Sequence, residues 1–154
     1  MNTAHELAWL FSRDLARLKK QIDEFADDDG LWTVLPGVTN SAGNLALHLE
    51  GNLREYVGRQ LGGIEYQRKR DLEFSQKGLT KTEILSRLTE LGQVIPSVIE
   101  SLTSEQIDSE YPSVVLDAPM STQQFLIHLY GHLNWHLGQI DYLRRMATSQ
   151  TAAT

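Results

Sequence analysis

Residues 121–146 read STQQFLIHLYGHLNWHLGQIDYLRRM, and this stretch decides the fold class. Its apolar side chains recur at spacings of three and four, which is the period of an amphipathic helix. Ser121 followed by Gln124 is typical of a helix N-terminus, because each side chain can satisfy a backbone N–H that the first turn leaves free. The stretch therefore predicts one continuous helix.

Three further segments carry the same helical period. The first begins at a Thr3–Glu6 capping box and should end near residues 26–30, and the second runs from about residues 39–41 to a glycine pair at 62–63. The third begins at a capping box formed by Thr80 with the glutamate three residues later. Pro96 lies inside it, so we expect a kink or an early break there, because proline removes one helical hydrogen bond.

Four helices joined by long connections predict an all-α fold, a four-helix bundle with long crossover connections. The longest connection, residues 62–79, is long enough to let the second and third helices run parallel. We expect one bundle domain over residues 1–147 and a polar C-terminal tail over residues 148–154.

Composition excludes several classes of function. The 154 residues include no cysteine, so disulfides, thiolate zinc sites and cysteine nucleophiles are excluded. A net charge of −6 argues against a nucleic-acid partner, which would require clustered Lys and Arg. The short basic run over residues 67–70 is flanked by acids, and we interpret it as a solvated connection. Neither a membrane-spanning apolar run nor the features of a signal peptide are found, so we expect a cytoplasmic protein that does not bind membranes.

Three of the five histidines lie at four-residue intervals in the last segment. Each interval turns the helix by roughly 40°, so neighbouring histidines share one face. His132 and His136 fall at the centre of the apolar stripe, whereas His128 lies roughly 80° from His136, at the flank. Two imidazoles on one face can bind one metal ion, but two core histidines that are hydrogen-bonded to neighbouring helices would give the same pattern.

His48, in the second helical segment, can supply a third nitrogen if the two helices are neighbours. Three protein nitrogens would leave a coordination position open, as catalytic metal sites require. The residues near His48 on the helical wheel are mainly polar, including Asn52, Glu55 and Arg59. Such a face is expected beside a solvated pocket, and it is expected equally for a histidine that is simply exposed.

Other catalytic motifs do not occur. Leu133 follows His132 where a zinc protease of the His-Glu-x-x-His type would have glutamate, and the sequence has no Glu-x-x-His pair of the kind that di-iron bundles use. No glycine-rich phosphate loop precedes a helix, and no strand is predicted that could carry a serine nucleophile elbow.

Two sequence elements resemble the DinB-like superfamily of four-helix, three-histidine proteins. One is Asn-Leu-x-x-His-Leu-x-x-Asn-Leu-Arg over residues 44–54, and the other is His-x-x-x-His-x-Gly-Gln-Ile-x-Tyr-Leu-Arg-Arg over residues 132–145. The resemblance implies that His48, His132 and His136 bind a divalent transition metal, zinc or nickel, with water in the open positions.

Characterised members of that superfamily include thiol S-transferases, so the resemblance implies a transferase that joins a low-molecular-weight thiol to an electrophile, or a hydrolase that uses water at the same site. The small-molecule substrate is not specified by the sequence. A non-catalytic, metal-stabilised binding or scaffold module is the alternative. Possible pocket residues or supports of the metal ligands are Asn52, Glu55, Arg59, His128 and Gln139.

Self-association is a further expectation. Trp9, Trp32 and Trp135 lie away from the inner stripes of their helices, where they would leave aromatic surface exposed. A second copy of the chain could cover that surface, and DinB-like proteins are often dimers. We therefore expect a homodimer.

Overall fold

The computed structural model describes residues 2–152, with side chains described as far as residue 147. Within that part of the chain the fold is all-α, as the sequence predicts, and four long helices form the bundle. The second of these continues as a π-helical segment, Arg54–Arg59. The helices are α1 (Thr3–Asp23), α2 (Asp28–Trp32), α3 (Ala42–Leu53), α4 (Arg70–Ser75), α5 (Lys81–Glu100), α6 (Ser104–Asp108) and α7 (Thr122–Ala152).

The first and third long helices, α1 and α5, pack antiparallel. His5 near the start of α1 lies 2.9 Å from the carboxylate of Glu100 at the end of α5. At the other end, Lys81 Nζ donates to the carbonyl of Phe25, just beyond α1, at 3.0 Å.

Helices α3 and α5 run parallel, the direction that the long crossover allows. Arg87 approaches Glu50 at 3.6 Å, and farther along both helices Arg54 donates to Glu90 at 3.1 Å. The residue numbers rise together along the two helices, so the chain returns to the same end of the bundle between them. Residues 60–80, with α4 inside them, make that return.

Apolar side chains from all four long helices form one core, because burying them removes apolar surface from water. The largest fully buried side chains are Phe11, Leu15, Leu18, Ile22, Leu31, Leu49, Leu53, Ile84, Leu91, Ile95, Ile99 and Phe125.

One carboxylate is fully buried between α1 and α7. Asp14 accepts two hydrogen bonds from Arg13, at 2.8 and 3.0 Å, and another from the hydroxyl of Tyr130. Burial alone would raise the pKa of Asp14, but hydrogen bonds from Arg13, Tyr130 and Asn134 outweigh burial and lower that pKa to about 2. Asp14 is therefore ionised at neutral pH and ties the two helices together.

Several helix boundaries differ from the sequence predictions. The N-cap of α1 is Asn2, which accepts from the backbone of Ala4, so the predicted Thr3–Glu6 capping box is wrong. The Thr80 capping box of α5 is confirmed. Helix α5 continues through Pro96 to its end at residue 100, so the predicted early break is also wrong.

The connections contain three short helices that the sequence analysis did not predict, α2, α4 and α6. Each spans only five or six residues, too few to produce a helical stripe. The backbone of α7 continues to Ala152, whereas the side chains of the predicted tail, 148–154, lie outside the described residues. Among the described helices, none has both the length and the apolar character that crossing a bilayer requires.

Candidate metal centre

The polar face of α3 is covered by the crossover connection. Asn44 Nδ2 donates to the backbone carbonyls of Glu73 and Gln76, at 3.0 and 2.9 Å, which holds α4 against α3. A Cβ atom at Gly51 would lie 2.2 Å from a carboxylate oxygen of Glu73, so only glycine permits this approach. His48 is consequently buried, with 7% of its surface exposed, and its interpretation as a solvated side chain is wrong.

A salt bridge with Arg68 holds Glu73, whose carboxylate faces His48. Arg68 Nε and Nη2 each donate to Glu73, at 2.8 Å, in a bidentate pair. The Arg68 side chain is only 12% exposed, so the interpretation of residues 67–70 as a solvated connection is wrong for this arginine. Burial alone would raise the pKa of Glu73, but the hydrogen bonds from Arg68 and His48 lower it. The carboxylate is therefore ionised at neutral pH.

Three histidines meet where α3 packs antiparallel against α7. Nε2 of His48 lies 3.1 Å from Nε2 of His132, and the ring of His136 lies 4.6 Å from the ring of His132 and 5.2 Å from that of His48. One ligand nitrogen from each of the three fits within 4.8 Å of the others. These are the three histidines that the sequence analysis selected, and together they could hold a metal ion.

The outward nitrogens of two of these rings have hydrogen-bond acceptors. Nδ1 of His48 lies 2.9 Å from Glu73 Oε1, and Nδ1 of His136 lies 2.7 Å from Gln139 Oε1. An ionised carboxylate and an amide oxygen only accept, so each Nδ1 carries a proton, and Nε2 is the atom of each neutral ring that can bind a metal. Acceptors of this kind orient metal-binding histidines in other proteins.

The distance between two of the three nitrogens fits a shared ion. Imidazole nitrogens bound at about 2.0–2.1 Å to one tetrahedral or octahedral ion lie roughly 2.9–3.4 Å apart. The 3.1 Å between Nε2 of His48 and Nε2 of His132 falls in that range. The donor set of three nitrogens without a thiolate suits zinc or nickel among divalent ions and does not choose between them.

Burial and neighbouring charges keep two of the three imidazoles neutral. Burial, followed by the neighbouring His136, His48 and His128, lowers the pKa of His132 to about 4. Burial also lowers the pKa of His136, partly opposed by its hydrogen bond to Gln139. Both imidazoles are therefore unprotonated at neutral pH, which is the form that binds a metal.

A cavity of about 430 Å³ opens beside His48 and His132. One side is polar, and the other is apolar and includes part of the loop between α6 and α7. It is lined by His48, Asn52, Tyr56, Arg68, Arg70, Val114, Val115, Leu116, Phe125, His128, Leu129 and His132.

The remaining predicted site residues fall into two groups. Asn52 and His128 line this cavity, and His128 is exposed at the flank of α7, where the wheel placed it. Glu55 and Arg59 instead form an ion pair with each other and are absent from the cavity lining. Their pairing follows from a spacing of four residues along the helical chain.

Glu73, Arg68 and Phe74 belong to this site and were missed by the sequence analysis. The ring of Phe74 lies 4.9 Å from that of His48. Glu73 and Phe74 lie on α4, whose six residues give no periodic signal, and Arg68 lies in the extended chain just before it. The signal that could have indicated them is the polar face of α3, because a polar helix face in a core requires polar partners.

Comparisons with known proteins agree with this architecture. The family model described as "Protein of unknown function (DUF1572)" matches residues 7–153. The chain belongs to this family. DUF1572 is a DinB-like family, so the resemblance seen in the sequence is confirmed.

A solved structure has the same fold as this DUF1572 protein. It is the crystal structure of a DinB-like protein from Bacillus cereus ATCC 10987, with a TM-score of 0.70 and 19% sequence identity. The match covers 94% of this chain and 91% of the other. A search among curated proteins finds no significant match. This DUF1572 member therefore has a DinB-like fold with a three-histidine group that could bind a metal.

Proposed function

We propose that this protein is a metal-dependent enzyme that transfers a low-molecular-weight thiol to a small electrophile. The observation that supports the proposal is the convergence of three imidazoles, two of which line an open cavity. The thiol as nucleophile is carried over from the DinB-like resemblance. A chain without cysteine has no thiol of its own, so the nucleophile must be supplied by a second small molecule.

The protein's own residues would hold and orient the centre. His48, His132 and His136 would bind a divalent ion, zinc or nickel, while Glu73 and Gln139 keep two of the rings in the required tautomer. The bound ion would act as a Lewis acid that lowers the pKa of a thiol, or of water, at neutral pH.

In the proposed reaction the thiol loses its proton to solvent, its sulfur forms a bond to the electrophilic carbon, and the leaving group departs with the electron pair of the broken bond. The cavity would exclude water and hold the substrates. Phe125 and Leu129 are buried beside the cavity and limit the access of water from that side. A cavity of about 430 Å³ is large enough for a small substrate, because ligand pockets begin at about 300 Å³.

The test is a panel of thiols and water against common electrophiles. Glutathione, bacillithiol and mycothiol are each assayed with zinc-loaded, nickel-loaded and metal-stripped protein, and with the His136→Ala variant. We expect acceleration with at least one thiol by the metal-loaded protein, and none by the stripped protein or by His136→Ala. His5→Ala, which removes an exposed imidazole from α1, is the matched control and should keep full activity.

Two other outcomes would contradict the proposal in different ways. If the metal-loaded protein hydrolyses the electrophile and forms no product that contains the thiol, the protein is a hydrolase at the same centre. Equal rates from loaded, stripped and variant protein, with metal bound, would favour a non-catalytic binding module.

A further inference from the structure

We propose that the cavity beside His48 and His132 is a substrate pocket that selects small carboxylates with an apolar body. Its role as a substrate pocket rests on the proposed function, whereas its binding of carboxylates can be measured without any reaction. Three features of the lining support this choice: one cation without an ion pair, one buried imidazole N–H without an acceptor, and an exposed apolar loop.

The cation is Arg70. Its neighbour Arg68 is already bound to Glu73 through two hydrogen bonds, so its charge is neutralised. Arg70 lies over the ring of Phe74 at 5.4 Å, and within the described residues it forms no ion pair with a carboxylate. An exposed guanidinium at a cavity wall attracts an anion and can bind a carboxylate through two parallel hydrogen bonds.

The unsatisfied donor is His132. Its Nδ1 is buried without a hydrogen-bond partner among the described residues, and it carries the ring proton when Nε2 faces the metal site, so it can donate to a carboxylate. Oδ1 of Asn52 in the same lining is also buried without a partner, and as an acceptor it suits a hydroxyl or a water beside the carboxylate. Buried polar atoms normally have partners, so both orphans indicate that a polar part of a ligand belongs at this wall.

The apolar wall comes from the loop between α6 and α7. Val114 and Leu116 are 67% and 57% exposed although both line the cavity. Leu116 and Asp117 have positive φ angles, of 52° and 60°, because they are the two central residues of a tight turn in which the Ala118 N–H donates to the Val115 carbonyl at 3.3 Å. The turn presents apolar side chains over the cavity, where the apolar part of a ligand can cover them.

The charge balance favours a carboxylate over a phosphate ester. One guanidinium without an ion pair matches a monoanion, because the charge of Arg68 is already neutralised by Glu73. The apolar wall requires a hydrocarbon part, so a very small anion such as acetate should leave most of the binding energy unused.

The experiment uses calorimetric titration of zinc-loaded protein with hexanoate, hexanol, acetate and hexyl phosphate. We expect hexanoate to bind at least about tenfold more tightly than each of the other three, from one charge-assisted contact and the buried chain. Arg70→Gln should weaken hexanoate binding by about tenfold, and Val114→Ser by a smaller factor. Arg87→Gln removes the same charge from α5, outside this cavity, and should leave hexanoate binding unchanged.

The proposal is overturned if hexanol or hexyl phosphate binds as tightly as hexanoate, or if Arg70→Gln and Arg87→Gln behave alike. Zinc content is measured in the same samples, so loss of the metal centre is recognised separately. Protein that retains zinc and fails to bind hexanoate refutes the pocket alone. Protein that binds hexanoate as expected and transfers no thiol supports the pocket and refutes the proposed function.

Discussion

Oε1 of Glu73 lies 2.9 Å from Nδ1 of His48, so a residue of the crossover connection decides which ring nitrogen of a candidate metal ligand faces the other histidines. Glu73 is in turn held by Arg68. The orientation of His48 therefore depends on a six-residue helix that lies outside the four-helix bundle.

Replacing Glu73 by glutamine tests this relationship. The amide can still accept from His48 but carries no charge, and changes of this kind beside a metal ligand typically weaken metal affinity by about 10–100-fold. We expect a decrease of that size in zinc affinity, measured by competition with a chelating dye. Asp71→Asn removes an exposed charge from the same helix and should leave affinity unchanged. Wild-type affinity in the Glu73 variant would show that the carboxylate does not support the ligand.

The ligand set itself is tested by elemental analysis of protein purified without metal-affinity resin. His132→Ala should lose stoichiometric metal, because two imidazoles hold an ion far less tightly than three. His128→Ala should retain one equivalent, because that ring stands 6.5 Å from His132 at the exposed flank of α7. Full occupancy in the His132 variant would exclude the proposed centre.

Gly51→Ala should disturb the centre without touching a ligand. The added Cβ would lie 2.2 Å from Glu73, so the carboxylate must shift from the position in which it contacts His48. We expect weaker zinc binding and a lower free energy of unfolding. Gly92→Ala on α5 is the control: its Cβ meets nothing within 4 Å, and alanine in a helix interior should raise stability by about 0.5–1 kcal/mol. The same response in both variants would argue against this close approach.

The buried Asp14 predicts a pH dependence of stability. Its pKa falls from 3.8 to about 2 on folding, so its ionised form stabilises the folded state by about 2 kcal/mol above pH 4. That contribution is lost as the pH falls from about 4 towards 2, because the folded carboxyl then becomes protonated. Urea unfolding should show Asp14→Asn less stable than wild type at pH 7, with the difference shrinking below pH 4. Asp108→Asn, at an exposed position, should show no such difference; a pH-independent cost of Asp14→Asn would contradict the linkage.

The structure narrows the surface through which the predicted homodimer would form to the exposed tryptophans, Trp9 and Trp135. Trp9 and Trp135 are 58% and 70% exposed, whereas Trp32 is partly buried and donates to the backbone of Leu79. Static light scattering should give a dimer mass, and Trp135→Gln should shift the mass towards the monomer. Trp32→Phe leaves the exposed aromatic surface intact and should remain dimeric. A monomer mass for wild type at high micromolar concentration would exclude the dimer.

The helical wheel of α7 could be predicted in part because one long, continuous stripe fixes which side chains face inward. His128 was placed correctly at the flank, whereas His132 and His136 are half-buried, and the centre of the buried face is formed by leucines such as Leu126 and Leu133. The burial of His48 could not be predicted in the same way, because its neighbours on α3 are polar and their partners lie on α4. That contact joins residues 29 positions apart and leaves no local pattern.

The family of the chain was recognisable from the spacing of a few residues, whereas beyond the metal ligands only two residues of the pocket, Asn52 and His128, were. Arg70 comes near His48 through a return of the chain between α3 and α5, and the loop that carries Val114 arrives from another connection. Both placements are set by tertiary packing, which overrides the solvated, irregular character that their sequences indicate on their own.

Because His48 and His132 are separated by 84 positions, the three nitrogens come together only after the last helix has docked. A ligand that binds only this folded arrangement shifts the folding equilibrium by mass action, by about 2.7 kcal/mol at a free concentration of one hundred times its Kd. The supply of metal would then set the lifetime of the whole chain as well as its chemistry. A cell starved of the ion would hold less of this protein, since the unoccupied chain spends more time open to proteases.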